Sequence, residues 1–323
     1  MAGMSGTIAT PEFPQDGFPS RLGDRPLRVV SPRINLRQRV RQIWQYRELL
    51  LGMTRKELRV QYKDSVLGFL WSMLNPATNL LVYFVVFQII LRNGIPHYAI
   101  YLMSGVLVWN FFSSSVSGAC GSLVANSHII KKVAFPREIP ALAQVGSAMM
   151  QMGFQSIVLV IFLAAFRTAP AVDFVILLIP ALVALITLAT SLGLLFAALN
   201  VKMRDMQHLL GVALSVWFWA TPIVYPFRQI RDRIQFYPSH FKWLLDLYRM
   251  NPVTPIVLSF QRAIYGVTSP KGASGQPIHI LPDHAGLWWY SWQLLAVIGF
   301  AVALGVFALG VFGRREGSFA EEL

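Results

Sequence analysis

FVILLIPALVALITLATSLGLLFAALNV, residues 174–201, holds 28 positions without a single Asp, Glu, Lys or Arg. At ~1.5 Å per residue a helix of that length exceeds the ~30 Å hydrocarbon core of a bilayer. Five further stretches share this character: residues 70–91, 97–125, 141–166, 209–227 and 285–313. A water-soluble chain of 323 residues would not bury six such helices without one of those charges among them. The expectation is an all-α integral membrane protein with six transmembrane helices, residues 70–313 forming one domain.

Charge placement orients it. The net charge of +13 would suit a nucleic-acid binder if spread over a globular surface, but it is not spread. Twelve Lys or Arg precede residue 70; Lys131, Lys132 and Arg137 follow the second stretch, Lys202 and Arg204 the fourth, Arg314 and Arg315 the sixth. The two short loops on the other side hold only Arg92 and Arg167. Short basic loops stay inside, so both termini are expected in the cytoplasm and the chain in the inner membrane. Seven basic residues between the fifth and sixth stretches are set aside, because long loops translocate largely regardless of charge. Cys120 is the single cysteine, which excludes a disulfide framework. The first 65 residues contain no apolar core of signal-peptide length, so no cleavage is expected.

Residues 1–33, rich in Pro, Gly, Ser and Arg, read as a disordered cytoplasmic arm. Residues 34–69 hold a helical pattern from Ile43, with Gln45, Glu48, Gly52, Arg55, Lys56 and Arg59 on one polar face and Trp44, Leu50, Leu51, Met53 and Leu58 around the rest. A basic amphipathic helix before a first span reads as an interface helix lying at the membrane surface; the alternative is a solvated helix on a partner. Between the fifth and sixth stretches, residues 228–284 contain two apolar pieces too short to span, 241–247 and 252–265. These read as re-entrant or gate helices, followed by a flexible outer connection over 266–282.

Several chemistries lack their residues. A P-loop needs Lys followed by Ser or Thr, and none of the seven lysines has that neighbour, so ATP and Mg would have to be bound by another subunit. No two aspartates have the Asp-x-Asp spacing of metal-dependent glycosyltransferases. His279 and His284 have only Asp283 nearby, and no metal site is expected. The stretches also lack the charges that ion-coupled carriers place in their bundles, which favours a permease driven from outside.

Three basic patches remain: 126–140 (NSHIIKKVAFPREIP), 200–209 (NVKMRDMQHL) with Arg204 and Asp205, and the tail 314–323 (RREGSFAEEL). Such patches are ordinarily topology signals. Phe135-Pro136-Arg137-Glu138 is harder to set aside, because a Pro-broken turn carrying an aromatic between charges reads as a docking knob. Within the spans, Gln144, Ser147, Gln151 and Gln155 make one stripe on the third, suited either to interhelical packing or to a hydrophilic lining. Ser114, Gly118 and Ser122 make a small-residue face on the second. Trp217 and Trp219 lie at mid-depth in the fifth and point ~160° apart, so at most one faces a path. Trp288, Trp289, Tyr290 and Trp292 open the sixth as an interfacial belt.

YKDSVLGFLWSMLNP (62–76), HIIKKVAFPREI, VKMRDMQHLL, ATPIVYP (220–226), MNPVTPI (250–256) and the SFAEEL tail occur in an order that resembles the ABC type-2 permeases of polysaccharide export, which move O-antigen, capsule, teichoic acid or galactan precursors. The resemblance runs from about Leu50 to the C-terminus. It implies a homodimer working with two copies of a cytoplasmic ABC ATPase on a lipid-linked polysaccharide. It also implies a coupling helix seated on that ATPase within 128–138, with His128, Lys131, Lys132, Phe135, Pro136, Arg137 and Glu138 as contacts and Arg204 and Asp205 as a second contact. Glu48, Arg55, Lys56 and Arg59 would belong to the interface helix, and Asn251, Pro252 and Pro255 to the gate. Gln144, Gln151, Gln155, Trp217 and Trp219 are the path candidates. The rival readings are a drug or small-lipid exporter and, from another class, a membrane glycosyltransferase.

Overall fold

A computed structural model describes residues 36–62, 70–92, 94–133, 135–227, 243, 248, 250–267, 280–282 and 286–315. Among them every regular element is helical. In chain order these are α1 (Leu36–Gln45), α2 (Arg47–Tyr62), α3 (Leu70–Phe84, continued by a π-helical turn at Val85–Ile90), α4 (Tyr98–Ala125) and α5 (Ser127–Ile130). Then follow α6 (Ile139–Ala165), α7 (Val172–Val175), α8 (Leu178–Lys202), α9 (Met206–Trp219), α10 (Val253–Ile264) and α11 (Leu287–Arg315). The expected arm over 1–33, the tail beyond 315, His279, Asp283, His284 and all of 241–247 but Trp243 lie outside the described residues.

Among the described residues four helices are long and apolar enough to cross a membrane: Tyr98–Ala125, Ile139–Ala165, Val172–Lys202 and Leu287–Arg314. Their boundaries fall within a few residues of the stretches read from the sequence. α4 is their centre. It is apolar all round, which is the signature of a buried helix, and Tyr98, Tyr101, Leu102, Phe111, Phe112, Val116 and Leu123 are all buried. α6 and α8 flank it, and α11 packs on the far side of α8.

Small residues set these separations. A Cβ at Gly193 of α8 would fall 2.8 Å from that of Ala119, and one at Gly305 of α11 would fall 2.7 Å from Ser191 Oγ. That hydroxyl in turn donates to the Ala301 carbonyl at 2.8 Å. Gly118 of the small-residue face does the same for α6, with Gln144 Oε1 3.0 Å from where its Cβ would be. Between helices in lipid there is no hydrophobic drive, so close backbone approach and such hydrogen bonds hold the bundle.

Two expectations need correction. The fifth stretch, 209–227, is helical only to Trp219, and a 14-residue α9 reaches ~21 Å, short of the membrane core. The stop lies in Thr221-Pro222 and Pro226. A residue before proline is driven out of the α region, and each proline removes a backbone donor. The N-terminal helix is also two helices, broken at Tyr46, and it begins before Ile43. α2 lies along the first turns of α6, with Met53 buried and Leu50 half-buried against Ile139 and Ala143. Leu49, Leu51 and Val60 remain exposed beside the polar face.

Candidate functional site

The ends of α4, α6, α8 and α11 that carry Lys131, Lys132, Lys202, Arg204 and Arg314 form the basic end of the bundle. Between α4 and α6 the chain makes a short helix, α5, pinned by the buried Ile130 and Asn126. Asn126 donates to the Ser122 carbonyl at 3.0 Å and accepts from Lys56 Nζ of α2 at 2.8 Å. The docking residues read from the sequence divide by exposure. His128, Lys131 and Lys132 face outward, joined by Val133, which is 55% exposed and was missed because an aliphatic residue in a basic run carries no signal.

Phe135, expected as an exposed knob, is half-buried against the clusters around Ile130 and Met53, with Pro136 and Arg137 half-buried beside it. Glu138 is the clear departure. It is buried and forms an ion pair and hydrogen bond with Arg39 of α1, the two side chains 3% and 6% exposed. A carboxylate withdrawn in this way cannot rim a docking groove. Arg204 and Asp205 are exposed at the start of α9, beside an exposed Met203.

Of the interface-helix residues, Glu48, Arg55, Lys56 and Arg59 are exposed, and Arg55, Lys56 and Arg59 line an open groove of about 690 Å³ with Gly52 and Val60. The glutamine stripe of α6 faces α2 and α4. Gln144 donates to Glu57 Oε2 at 2.9 Å, Gln151 to Gln61 Oε1 at 2.8 Å, and Asn110 of α4 donates to Gln155 Oε1 at 3.3 Å. Gln144 and Gln151 are thus engaged by α2, whereas Gln155 and Asn110 also line a cavity of about 70 Å³ with Leu80 and Phe162.

At the opposite end the segment 220–227 has left the helix, and its carbonyls find side-chain donors. Tyr98 reaches the Val224 carbonyl at 2.7 Å, Tyr101 that of Tyr225 at 3.0 Å, and Gln261 Nε2 that of Pro222 at 3.1 Å. Tyr225 itself donates to the Trp219 carbonyl. Asn251, just before α10, is the hub. Its Oδ1 accepts from Trp217 Nε1 at 2.9 Å and from the Val253 N–H at 3.0 Å, while its Nδ2 donates to the Ala220 carbonyl at 3.1 Å and to Thr221 Oγ1 at 3.0 Å. Non-helical backbone survives at membrane depth only when protein satisfies it in this manner.

α10 is amphipathic and almost wholly buried between α4 and α8, as a re-entrant piece would be. Pro252 and Pro255 lie beside Asn251 on a cavity of about 680 Å³ between α10 and α11. The two tryptophans separate as their ~160° spacing requires. Trp217 is half-buried, edge-on to Phe112 at 5.2 Å, whereas Trp219 is 52% exposed next to Tyr83.

A family model for ABC-2 type transporters matches residues 48–265. The chain is 30% identical over 284 residues to the O-antigen export system permease protein RfbA of Myxococcus xanthus, covering 88% of this chain and 98% of that protein. It is 27% identical over 276 residues to a protein of the same name in Klebsiella pneumoniae, covering 85% and 95%. Similarity at 23% over 223 residues extends to the polysialic acid transport protein KpsM of Escherichia coli, covering 68% and 82%.

Proposed function

The chain belongs to the ABC-2 type transporter family, and from that premise we propose that it is the permease subunit of an ATP-driven exporter moving a lipid-linked polysaccharide across the cytoplasmic membrane. The observation that carries this reading is the near end-to-end similarity to an O-antigen export permease, 98% of whose length is covered. In this reading the permease acts as a homodimer, and two copies of a separate ATPase bind ATP and Mg and close on its basic end. α3 and α9, with the segment after α9, supply the two crossings that complete six spans, both termini lying inside.

The geometry supports that division of labour. His128, Lys131, Lys132 and Val133 form an outward-facing ridge held at its base by Ile130 and Asn126, so a push on the ridge moves α4 and α6 rather than deforming a loop. At the other end α10 and the 220–227 segment form one hydrogen-bonded block that can shift as a gate. Trp219 is the aromatic left exposed to a path. A flat ring offers a sugar chain apolar contact without committing to one pattern of hydroxyls.

The test is deletion of the gene in its host. Export by this chain predicts that lipid-linked polymer accumulates inside and is lost from the surface, with recovery on complementation. Parental surface polymer in the deletion strain, accompanied by sensitivity to small amphiphiles, would instead support the drug or small-lipid exporter.

A further inference from the structure

Three elements far apart in sequence meet at one guanidinium. Arg39 lies on α1, Glu138 is the residue that enters α6 directly after the basic loop, and Gly313 sits in the last turn of α11. Arg39 Nη1 bonds Glu138 Oε1, and both side chains are almost fully withdrawn from water. On its other flank the guanidinium lies flat on α11: a Cβ at Gly313 would fall 3.0 Å from Nη2 and 3.2 Å from Cζ. A side chain there would require the guanidinium to give by a few tenths of an ångström. The C-terminal end of a helix, where carbonyls are unpaired, is also where a cation is favoured.

The remainder of α1 makes the contact more informative. Arg37, Gln38, Val40, Arg41, Gln42, Trp44 and Gln45 are all exposed and Ile43 is half-buried, so Arg39 is the single buried side chain among those described on this helix. Adhesion alone is better served by apolar groups, because a buried ion pair returns little more than its desolvation costs. What such a pair supplies is register: a planar fork of donors accepts one partner in one geometry.

We propose that Arg39 is a positioning residue that locks α1, the basic loop and the end of α11 into one moving part. Displacement of the loop is thereby delivered to the last span and to the N-terminal helices. The inference rests on the reading of the loop as the place where an ATPase pushes. Loss of the joint uncouples nucleotide hydrolysis from export without dismantling the bundle.

The test uses the full chain with its ATPase partner and two paired variants. Arg39→Met with Glu138→Met replaces the ion pair by apolar contact; Arg39→Glu with Glu138→Arg reverses it. The apolar pair is expected to keep thermal stability and complex recovery near the parent while polymer exported per ATP hydrolysed falls about five-fold or more, the lower bound of usual inter-site coupling. The reversed pair should recover part of that ratio. Parental export per ATP from the apolar pair would overturn the proposal.

A second measurement does not depend on the cargo. Spin labels at Ala125→Cys, the exposed residue that leads into the loop, and at Arg314→Cys, in a chain carrying Cys120→Ala, report the distance from the loop to the end of α11. It should hold one narrow distribution with and without trapped nucleotide in the parent and broaden in the apolar pair. An unchanged distribution in the apolar pair sinks the joint. A parent that shows the locked distance yet exports no polysaccharide would sink the functional reading and leave the joint standing.

Discussion

At the basic end of the bundle two of the contacts between elements carry charge: the buried pair of Arg39 on Glu138, and the exposed Lys56 on the amide of Asn126. At the opposite end the contacts that hold the 220–227 segment are neutral, made by phenols, amides and an indole, while Arg262 of α10 lies over the Phe174 ring at 4.1 Å and donates to the Gly266 carbonyl at 2.8 Å. Tyr98, Tyr101, Gln261 and Asn251 are donors to carbonyls of the 220–227 segment. A charge at the centre of a bilayer costs about 2.5–3.5 kcal/mol on insertion scales, so charged fasteners are confined to where water is near. Broken backbone at membrane depth needs many weak, neutral partners, whereas two rigid elements near the surface can be registered by one strong pair. The first arrangement resists local melting; the second selects one relative position.

The largest effect should come from leaving one half of the charged pair behind. Arg39→Ala takes the guanidinium away from the Glu138 carboxylate, and removing one partner of a buried pair typically destabilises by about 3–5 kcal/mol. The apparent melting temperature in nanodiscs should fall accordingly, and Glu138→Gln should fall less, because an amide can still bond the guanidinium. Asn251→Leu comes next. It orphans the Trp217 N–H, the Val253 N–H and the Ala220 carbonyl together, each worth about 1–3 kcal/mol when buried and unpaired, though not additively. If Asn251→Leu melts below Arg39→Ala, the distinction between a charged register point and a neutral mesh is wrong.

The tryptophans sharpen the same contrast within a single helix. Trp217→Phe keeps a ring against Phe112 but removes the donor to Asn251, and should cost about 0.5–1.5 kcal/mol. Trp219→Phe, half exposed and with no indole bond among those described, should change stability by less than about 0.5 kcal/mol. On the proposed function, Trp219→Ala lowers surface polymer at normal complex recovery. Equal stability losses at both positions would show that Trp219 is packed as tightly as Trp217.

Residue type explains which parts were legible beforehand. Long runs without charge have no other stable environment, so the four long spans and their ends could be read directly. The end of α9 was also written in Thr221-Pro222, but the continuing apolar composition through Phe227 outweighed it. Trp217 and Trp219 could be recognised as facing opposite ways because helical angle alone decides that. Arg39 could not be singled out, since one of twelve basic residues ahead of the first span looks like a topology signal. Glu138 was read as a docking contact because it follows Arg137 in a Pro-broken turn. Its place beside Ile139 and Pro140, where an apolar helix begins, was the available hint. The glutamine stripe left packing and lining open, and only the positions of α2 and α4 show what each amide bonds.

The one expected gain in stability lies at the end of α6, on the side opposite the basic end. α6 closes with the Thr168 N–H on the Leu163 carbonyl at 3.0 Å and the Arg167 N–H on that of Ala164 at 3.2 Å, the paired bonds of a Schellman ending. That ending requires a left-handed residue at Arg167, whose φ is +50°. A Cβ there is strained, and glycine is the usual occupant. Arg167 is also one of only two basic residues in the short loops of this side, so orientation gives no reason to keep it. Arg167→Gly should therefore stabilise by up to about 1 kcal/mol, the lower end of the left-handed penalty for a side chain, while leaving insertion topology unchanged. The readouts are the apparent melting temperature and a reporter fused after residue 315. A reporter that changes sides would show that Arg167 acts on orientation, and a lower melting temperature would show that its side chain holds more than the helix end.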